Sequence, residues 1–225
     1  MEKIYVGKTK DVYLKEDKNC LLVFKDDVTG TDGVFDPGAN TIGLTIDGIG
    51  KSNLMLSSFF FEKLKAAGIK THYISSDIDN GTMTVKMAKT FGDGLEVICR
   101  FYAVGSFVRR YGRYIKEGTK LPSYTEITLK DDDRGDPLIT ADALEILGLL
   151  SKKQYETIVK ETKNISLLIS DELAKKGLTL YDIKLEFGIV DDEVLLIDEI
   201  ASGNMRVYMG DKIVDPMELT KIMLS

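Results

Sequence analysis

The stretch 182–206 reads DIKLEFGIVDDEVLLIDEIASGNMR, and its charged residues fall where they could handle a divalent cation and a phosphate. Over residues 182–187 polar and apolar types alternate, so Asp182, Lys184 and Glu186 share one face of a strand, and Ile183, Leu185 and Phe187 the other. Residues 194–200 form a second apolar run of strand length, interrupted by Asp198 and Glu199. Between the two runs, Gly188 and Asp191-Asp192-Glu193 supply turn chemistry, and the whole predicts a hairpin. A three-residue loop pairs Val190 with Val194 and sets Glu186 opposite Asp198, with Cβ atoms about 5 Å apart. A two-residue loop sets Glu186 opposite Ile197 instead. In the first register the carboxylates repel unless a cation or a proton lies between them. Glu186 and Asp198 then offer hard oxygen ligands to Mg²⁺, which takes one or two carboxylates and completes its shell with water and phosphate. Acids on a strand also serve simply to solvate its outer face.

Two further places carry groups suited to anions. Gly7-Lys8-Thr9-Lys10 sets two lysines beside a glycine that lets backbone amides approach a ligand, which suits nucleotide phosphate oxygens. It is not a P-loop, because GxxxxGK[ST] is absent. Gly105-Ser106 opens a short helix, FVRRYG, that ends at Gly112. There Ser106, with Arg100 and Arg109 or Arg110, could clamp an anion, although a basic helix is also ordinary solvated surface. The acidic loop 131–137 reads as solvated surface.

The elements that must position these groups are legible in part. Residues 3–24 give three short strand patterns, and 26–51 a glycine-rich loop region with some strand character. A core-packing helix runs over 53–67 to a stop at Gly68. The runs HYIS and TMTVKM complete an N-terminal antiparallel sheet, and 89–94 is polar and glycine-rich enough for a hinge. Residues 96–100 form a strand. Ser151 with Gln154 makes a capping box, opening a helix whose apolar stripe lasts to Gly177. The domain boundary expected from this reading divides 1–87 from 88–225.

Composition narrows the function classes. A chain of 225 residues with 44% hydrophobic and 29% charged residues is an ordinary globular protein with a substantial core. Its net charge of −6 argues against a general nucleic-acid binder. No run approaches the roughly 20 apolar residues of a membrane span, and no apolar signal segment opens the chain, so a cytoplasmic location is expected. Cys20 and Cys99 lie in apolar runs and read as buried free thiols. His72, the one histidine, reads as structural.

Several of these strings, in the same order, resemble the SAICAR synthetases, ligases of purine biosynthesis. They are Gly-Lys-Thr-Lys-Asp-Val-Tyr from Gly7, Asp27-Val-Thr29-Gly-Thr-Asp32-Gly33, Gly50-Lys51-Ser-Asn53, and Glu96-Val-Ile-Cys-Arg100 followed by Ala103-Val-Gly-Ser106-x-x-Arg109-Arg110. Gly135-Asp136-Pro137-Leu-Ile and Asp-Ile-Lys-Leu-Glu-Phe-Gly with Asp198-Glu199 and Arg206 complete the series. The resemblance implies a two-lobed α+β fold with an N-terminal antiparallel sheet lobe, an ATP-grasp-like C-terminal lobe and ATP in the cleft. It implies that Glu186 and Asp198 hold the Mg²⁺ of ATP, and that Lys8, Lys10 and Lys86 face ATP phosphates. Arg100, Ser106 and Arg206 would take the substrate's ribose phosphate, while Asp136, Asp182 and Lys184 line the reacting centre. The implied reaction joins carboxyaminoimidazole ribotide to L-aspartate with cleavage of ATP. No nucleic acid or membrane partner is implied, and a homodimer is compatible.

The chain departs from the family pattern at three places. Ala201-Ser202-Gly203 replaces Ser-Pro-Asp, Phe101 stands where Asn commonly follows the arginine, and the family's last helix is missing after Ser225. The alternatives are a paralogous ligase acting on another carboxylate, an inositol-phosphate-kinase-like phosphotransferase, and a non-catalytic nucleotide-binding module.

Overall fold

The computed structural model describes residues 1–31, 33–37 and 41–225. Backbone contacts divide it into two compact units, residues 1–88 with 197–204 and 214–225, and residues 89–196 with 205–213. The segments 197–204 and 214–225 thus cluster with the N-terminal part of the chain.

The first unit opens with β1 (Glu2–Val6), β2 (Lys10–Leu14) and β3 (Asn19–Phe24). It continues through β4 (Asp27–Thr31), β5 (Val34–Phe35), β6 (Ile42–Thr45), helix α1 (Ile49–Ala66), β7 (Tyr73–Asp77) and β8 (Thr82–Lys86). Five of these strands form an antiparallel sheet in the order β1-β2-β3-β8-β7. Strand β4 lies between β5 and β6 in a small sheet of its own. This is the glycine-rich region expected to be mostly loop. A Cβ on Gly43 would stand 2.5 Å from the Cα of Gly30, so β4 and β6 approach through glycines and leave no apolar alternation to read. Asp32, part of one string of the family resemblance, lies outside the described residues.

Helix α1 begins at Ile49, four residues before the expected start. The Asp26 carboxylate accepts from the backbone N–H of Gly48 (3.2 Å) and Gly50 (2.9 Å), satisfying donors of the first turn from 22 and 24 residues away. Local sequence carries no trace of such a cap. The buried Leu54, Leu56, Phe60, Phe61 and Leu64 form its core stripe.

In the second unit β9 (Lys89–Thr90), β10 (Leu95–Tyr102) and α2 (Ser106–Tyr111) are followed by β11 (Lys120–Leu129), α3 (Ala141–Ile146) and α4 (Lys152–Ala174). Then come β12 (Thr179–Val190), β13 (Glu193–Ile197), β14 (Met205–Met209) and β15 (Lys212–Ile213). The sheet order is β11-β10-β12-β14-β15, with β9 and β13 also paired to β12. The Ser151 and Gln154 capping box opens α4 as expected. Its buried Ile158, Ile165, Ile169 and Leu173 cover one face of β10, β11 and β12, whose inward residues include Val97, Cys99, Ile127, Ile183 and Leu185. A last helix, α5 (Pro216–Leu224), belongs to the first unit and buries Leu219 and Met223 beside α1.

The hairpin register corrects one expectation. Only Asp191 and Asp192 separate β12 from β13, and both adopt left-handed backbone (φ 50° and 64°), as a type I′ turn requires. Val190 therefore faces Glu193, and counting back places Glu186 opposite Ile197. The three-residue register that set Glu186 opposite Asp198 does not form, because aspartates tolerate the left-handed conformation a tighter turn demands.

Candidate functional site

In the second unit, the sheet face away from α4 carries the charge. Antiparallel register aligns Glu96, Ile98 and Arg100 of β10 with Glu186, Lys184 and Asp182 of β12, and with Thr128, Glu126 and Tyr124 of β11. Arg206 of β14 stands opposite Asp182. The expected shared face of Asp182, Lys184 and Glu186 is therefore real, and two neighbouring strands extend it. Such density of charge on one sheet face requires pairing, because each buried charge loses its hydration.

Arg100 is the centre of that pairing, with a side chain only 3% exposed. Its Nε and Nη2 donate to Glu126 Oε1 (3.0 and 2.7 Å). Nη1 donates to Asp182 Oδ2 and to the Val104 carbonyl, and Nη2 also to Ser106 Oγ (2.8 Å). A guanidinium has five N–H donors, and these bonds use all five. Glu126, equally buried, also accepts from Arg110 Nη2 through both oxygens at 2.6 Å. Arg206 Nη1 donates to Asp182 Oδ2 at 2.9 Å, and its guanidinium lies so close to Gly105 that a Cβ there would meet Nη1 at 2.9 Å. Arg100, Ser106, Asp182 and Arg206 thus form one cluster, centred on Gly105-Ser106. Further along the face, Lys184 Nζ donates to Glu96 Oε1 (2.6 Å) and Lys130 Nζ to Glu186 Oε1 (2.7 Å). Asp136 belongs to neither group. It has left-handed backbone (φ 49°) in a turn, and its carboxylate accepts from the Asp131 N–H at 2.8 Å.

The first unit holds a second cluster. Gly7 permits the turn into β2, since a Cβ there would sit 2.6 Å from the Lys10 carbonyl, and Lys8 rides on that turn. Lys10, at the start of β2, is buried. Its ammonium pairs with Asp198 Oδ1 at 2.7 Å and with the Glu199 carboxylate, while Thr9 Oγ1 donates to Glu199 Oε1 at 3.3 Å. Asp198 has left-handed backbone (φ 66°), and its carbonyl oxygen lies 2.9 Å from His72 Nε2. Burial pushes the His72 pKa down to about 4, against the smaller upward pull of Asp198, so the ring is neutral at physiological pH. The carbonyl of His72 in turn accepts from the Lys86 N–H at 2.7 Å.

Helix α1 pins the segment that follows. Ser57 Oγ accepts from the Ile200 N–H (3.0 Å), Ser202 Oγ donates to Asn53 Oδ1 (2.6 Å), and Asn204 Oδ1 accepts from the Ala201 N–H (3.0 Å). The helix is thus core scaffold on one side and a polar mount for residues 198–204 on the other.

These carboxylates suit a hard cation. Asp198 with Glu199, and separately Glu186, already hold an ammonium within hydrogen-bond reach. Among the described residues, no group of three or more His, Cys, Asp or Glu side chains could hold a metal.

Glu126, Glu96, Lys130, Glu199 and the contact of His72 with Asp198 were not foreseen. The alternation Tyr124, Glu126, Thr128 in β11 was the available signal for Glu126. Nothing local marks the others, whose partners lie up to 190 residues away.

The fold is α+β with antiparallel sheets, one unit carrying a polar sheet face built around arginine and the other a lysine-gripped Asp-Glu pair. The SAICAR synthetase family model matches residues 3–220. The phosphoribosylaminoimidazole-succinocarboxamide synthase of Clostridium tetani is 57% identical over all of both chains. That of Finegoldia magna is 41% identical over 94% of this chain and 87% of its own. Among solved structures, a SAICAR synthetase in complex with ADP matches with a TM-score of 0.85 at 29% identity, covering 98% of this chain and 95% of its own. The synthase of Ehrlichia chaffeensis matches with a TM-score of 0.82 at 29% identity, over 93% and 86%. The chain belongs to the SAICAR synthetase family, and its activity is that of an ATP-dependent, amide-forming ligase of purine biosynthesis.

Proposed function

We propose that the substrates are carboxyaminoimidazole ribotide and L-aspartate, and that ATP is cleaved to ADP and phosphate. The observation that carries this reading is the arginine cluster around Gly105-Ser106, a mount for a phosphate next to a strand of paired acids and lysines. The chemistry is that of carboxylate activation. A carboxylate does not accept an amine while its oxygen is a poor leaving group. Transfer of the terminal phosphoryl of ATP to that oxygen gives an acyl phosphate. The aspartate amine then attacks the acyl carbon and loses a proton, and phosphate departs with the electrons of the broken C–O bond.

In this reading Lys8, Lys10 and Lys86 face the ATP phosphates, and Lys184 balances charge on the phosphoryl in transfer. Ser106 and Arg206 receive the ribotide phosphate, while Asp182 and Asp136 line the reacting centre. Arg100 reaches a ligand only by releasing Glu126 or Asp182, so its first task is to hold Ser106 and the strands in place. Glu186 and Asp198 would hold Mg²⁺, which would neutralise phosphate charge. The family resemblance supports the further reading of an ATP-grasp-like C-terminal lobe, ATP in the cleft, a cytoplasmic location and a homodimer.

Gly203, where the family commonly has Asp, favours one second reading, a paralogous ligase for another carboxylate. ADP release and amide formation, measured with the standard pair and with other carboxylates, decide between them. Glu186→Gln and Asp198→Asn each abolish Mg²⁺-dependent turnover in a folded protein. Full activity in either removes that residue from the metal site.

A further inference from the structure

We infer that His72 is a positioning residue for Asp198, holding that aspartate in the left-handed backbone conformation that turns its carboxylate toward Lys10. The inference rests on the reading of Asp198 as a ligand of nucleotide-bound Mg²⁺ and goes beyond it, since it assigns a working role to a histidine outside the charged cluster. Asp198 follows β13 with φ 66°, a left-handed conformation that aspartate tolerates better than most L residues but that still leaves its carboxylate direction to be fixed by its surroundings. Two contacts are in place to do so. Lys10 Nζ grips the side chain through Oδ1 at 2.7 Å, and His72 Nε2 grips the main chain through the carbonyl oxygen at 2.9 Å.

The imidazole is well fixed for this task. His72 is 3% exposed, its ring lies 5.6 Å from that of Phe61 at a tilt of 51°, and Phe61 in turn stacks on Tyr73. A carbonyl oxygen only accepts hydrogen bonds, so Nε2 carries the proton and the tautomer is set by the contact itself. The same residue's carbonyl receives the Lys86 N–H. A single buried residue therefore ties the end of β8 to the backbone of Asp198.

Because His72 is the only histidine, selective ¹⁵N-histidine labelling gives one pair of ring signals. At pH 7.5 the expected pattern is the Nε2–H tautomer with a slowly exchanging proton, and the Nδ1–H tautomer overturns the inference. Calorimetric titration supplies the second test, with ADP in Mg²⁺ and ADP in chelator as probes. His72→Phe keeps an aromatic ring and removes the donor, and is expected to weaken MgADP about tenfold while changing metal-free ADP less than about twofold. His72→Gln, whose amide can donate at similar reach, restores most of the loss. Equal weakening of both probes, or no weakening of MgADP in a folded His72→Phe protein, overturns the inference. If His72→Phe does not fold, the tautomer and the His72→Gln titration decide, and His72→Gln must then stay within about threefold of the parent for MgADP. Asp198→Asn is the control on the underlying reading. If it leaves the difference between the two probes intact, the metal assignment fails, whereas loss there with none in His72→Phe refutes the positioning role alone.

Discussion

Replacing Glu126 by glutamine should be among the most destabilising single changes in the second unit. Glu126 receives three hydrogen bonds on Oε1 and one on Oε2, from Arg100 and Arg110, and its side chain is 2% exposed. Glutamine keeps the shape but removes the charge and turns an N–H₂ group toward a guanidinium, donor against donor. Counting the cluster Arg100, Arg110, Arg206, Glu126 and Asp182, three positive charges face two negative ones, and the substitution leaves three facing one. Removing one partner from a buried ion pair costs about 3–5 kcal/mol. For a chain of this size each kcal/mol moves the melting temperature by about 2–4 °C, so the expected drop is roughly 6–20 °C. Thermal and urea unfolding followed by circular dichroism measure it. The double change Arg100→Met, Glu126→Leu should recover much of the loss, because it removes both charges and fills the space. A loss under about 1 kcal/mol in Glu126→Gln would refute the argument that this carboxylate neutralises the buried arginine.

Acid should weaken the first unit through His72. Its folded pKa of about 4 lies below the ordinary value near 6.5, so the unfolded chain takes up the proton first, and stability falls from about pH 6.5 down to about 4 and then levels off. Most of a full effect of about 3 kcal/mol is reached at pH 4.5, read as the difference in unfolding free energy between pH 7.5 and 4.5 that is lost in His72→Gln. Cys99 is fully buried and burial raises its thiol pKa, so a thiol reagent at pH 8 should modify it only as fast as the protein unfolds, with denaturant dependence as the check. Gly203→Asp should fold normally, because a Cβ at that position meets nothing within 4 Å and its backbone is not left-handed. If the missing carboxylate limits recognition of the substrate amine, the variant gains selectivity for the aminoimidazole carboxylate, read as kcat/KM against other carboxylates.

The sequence showed most clearly those features whose cause is local. The face shared by Asp182, Lys184 and Glu186 follows from strand alternation alone. Gly105-Ser106 and Gly112 bound α2, and Ser151 with Gln154 satisfies the first turn of α4 within three residues. Features set by distant partners stayed hidden. The start of α1 depends on Asp26, the charge balance of Arg100 on Glu126 and Asp182, and the seat of Asp198 on His72, which is 126 residues away. The hairpin register lay between these cases. Asp191-Asp192-Glu193 admits both loop lengths, and only the left-handed angles of the two aspartates select the shorter.

That selection bears on how the acids of this stretch divide their work. In the longer register, Glu186 and Asp198 would have been cross-strand neighbours, and their repulsion would have called for a cation or a proton between them. In the observed one, Glu186 shares its face with Glu96 and Lys184 and draws on Lys130, while Asp198 follows β13 and draws on Lys10. Each carboxylate therefore pairs with a different lysine, Lys10 being shared between Asp198 and Glu199. A cation shared by Glu186 and Asp198 is thus supported by the family pattern rather than by cross-strand repulsion, because Lys130 and Lys10 neutralise the two acids separately.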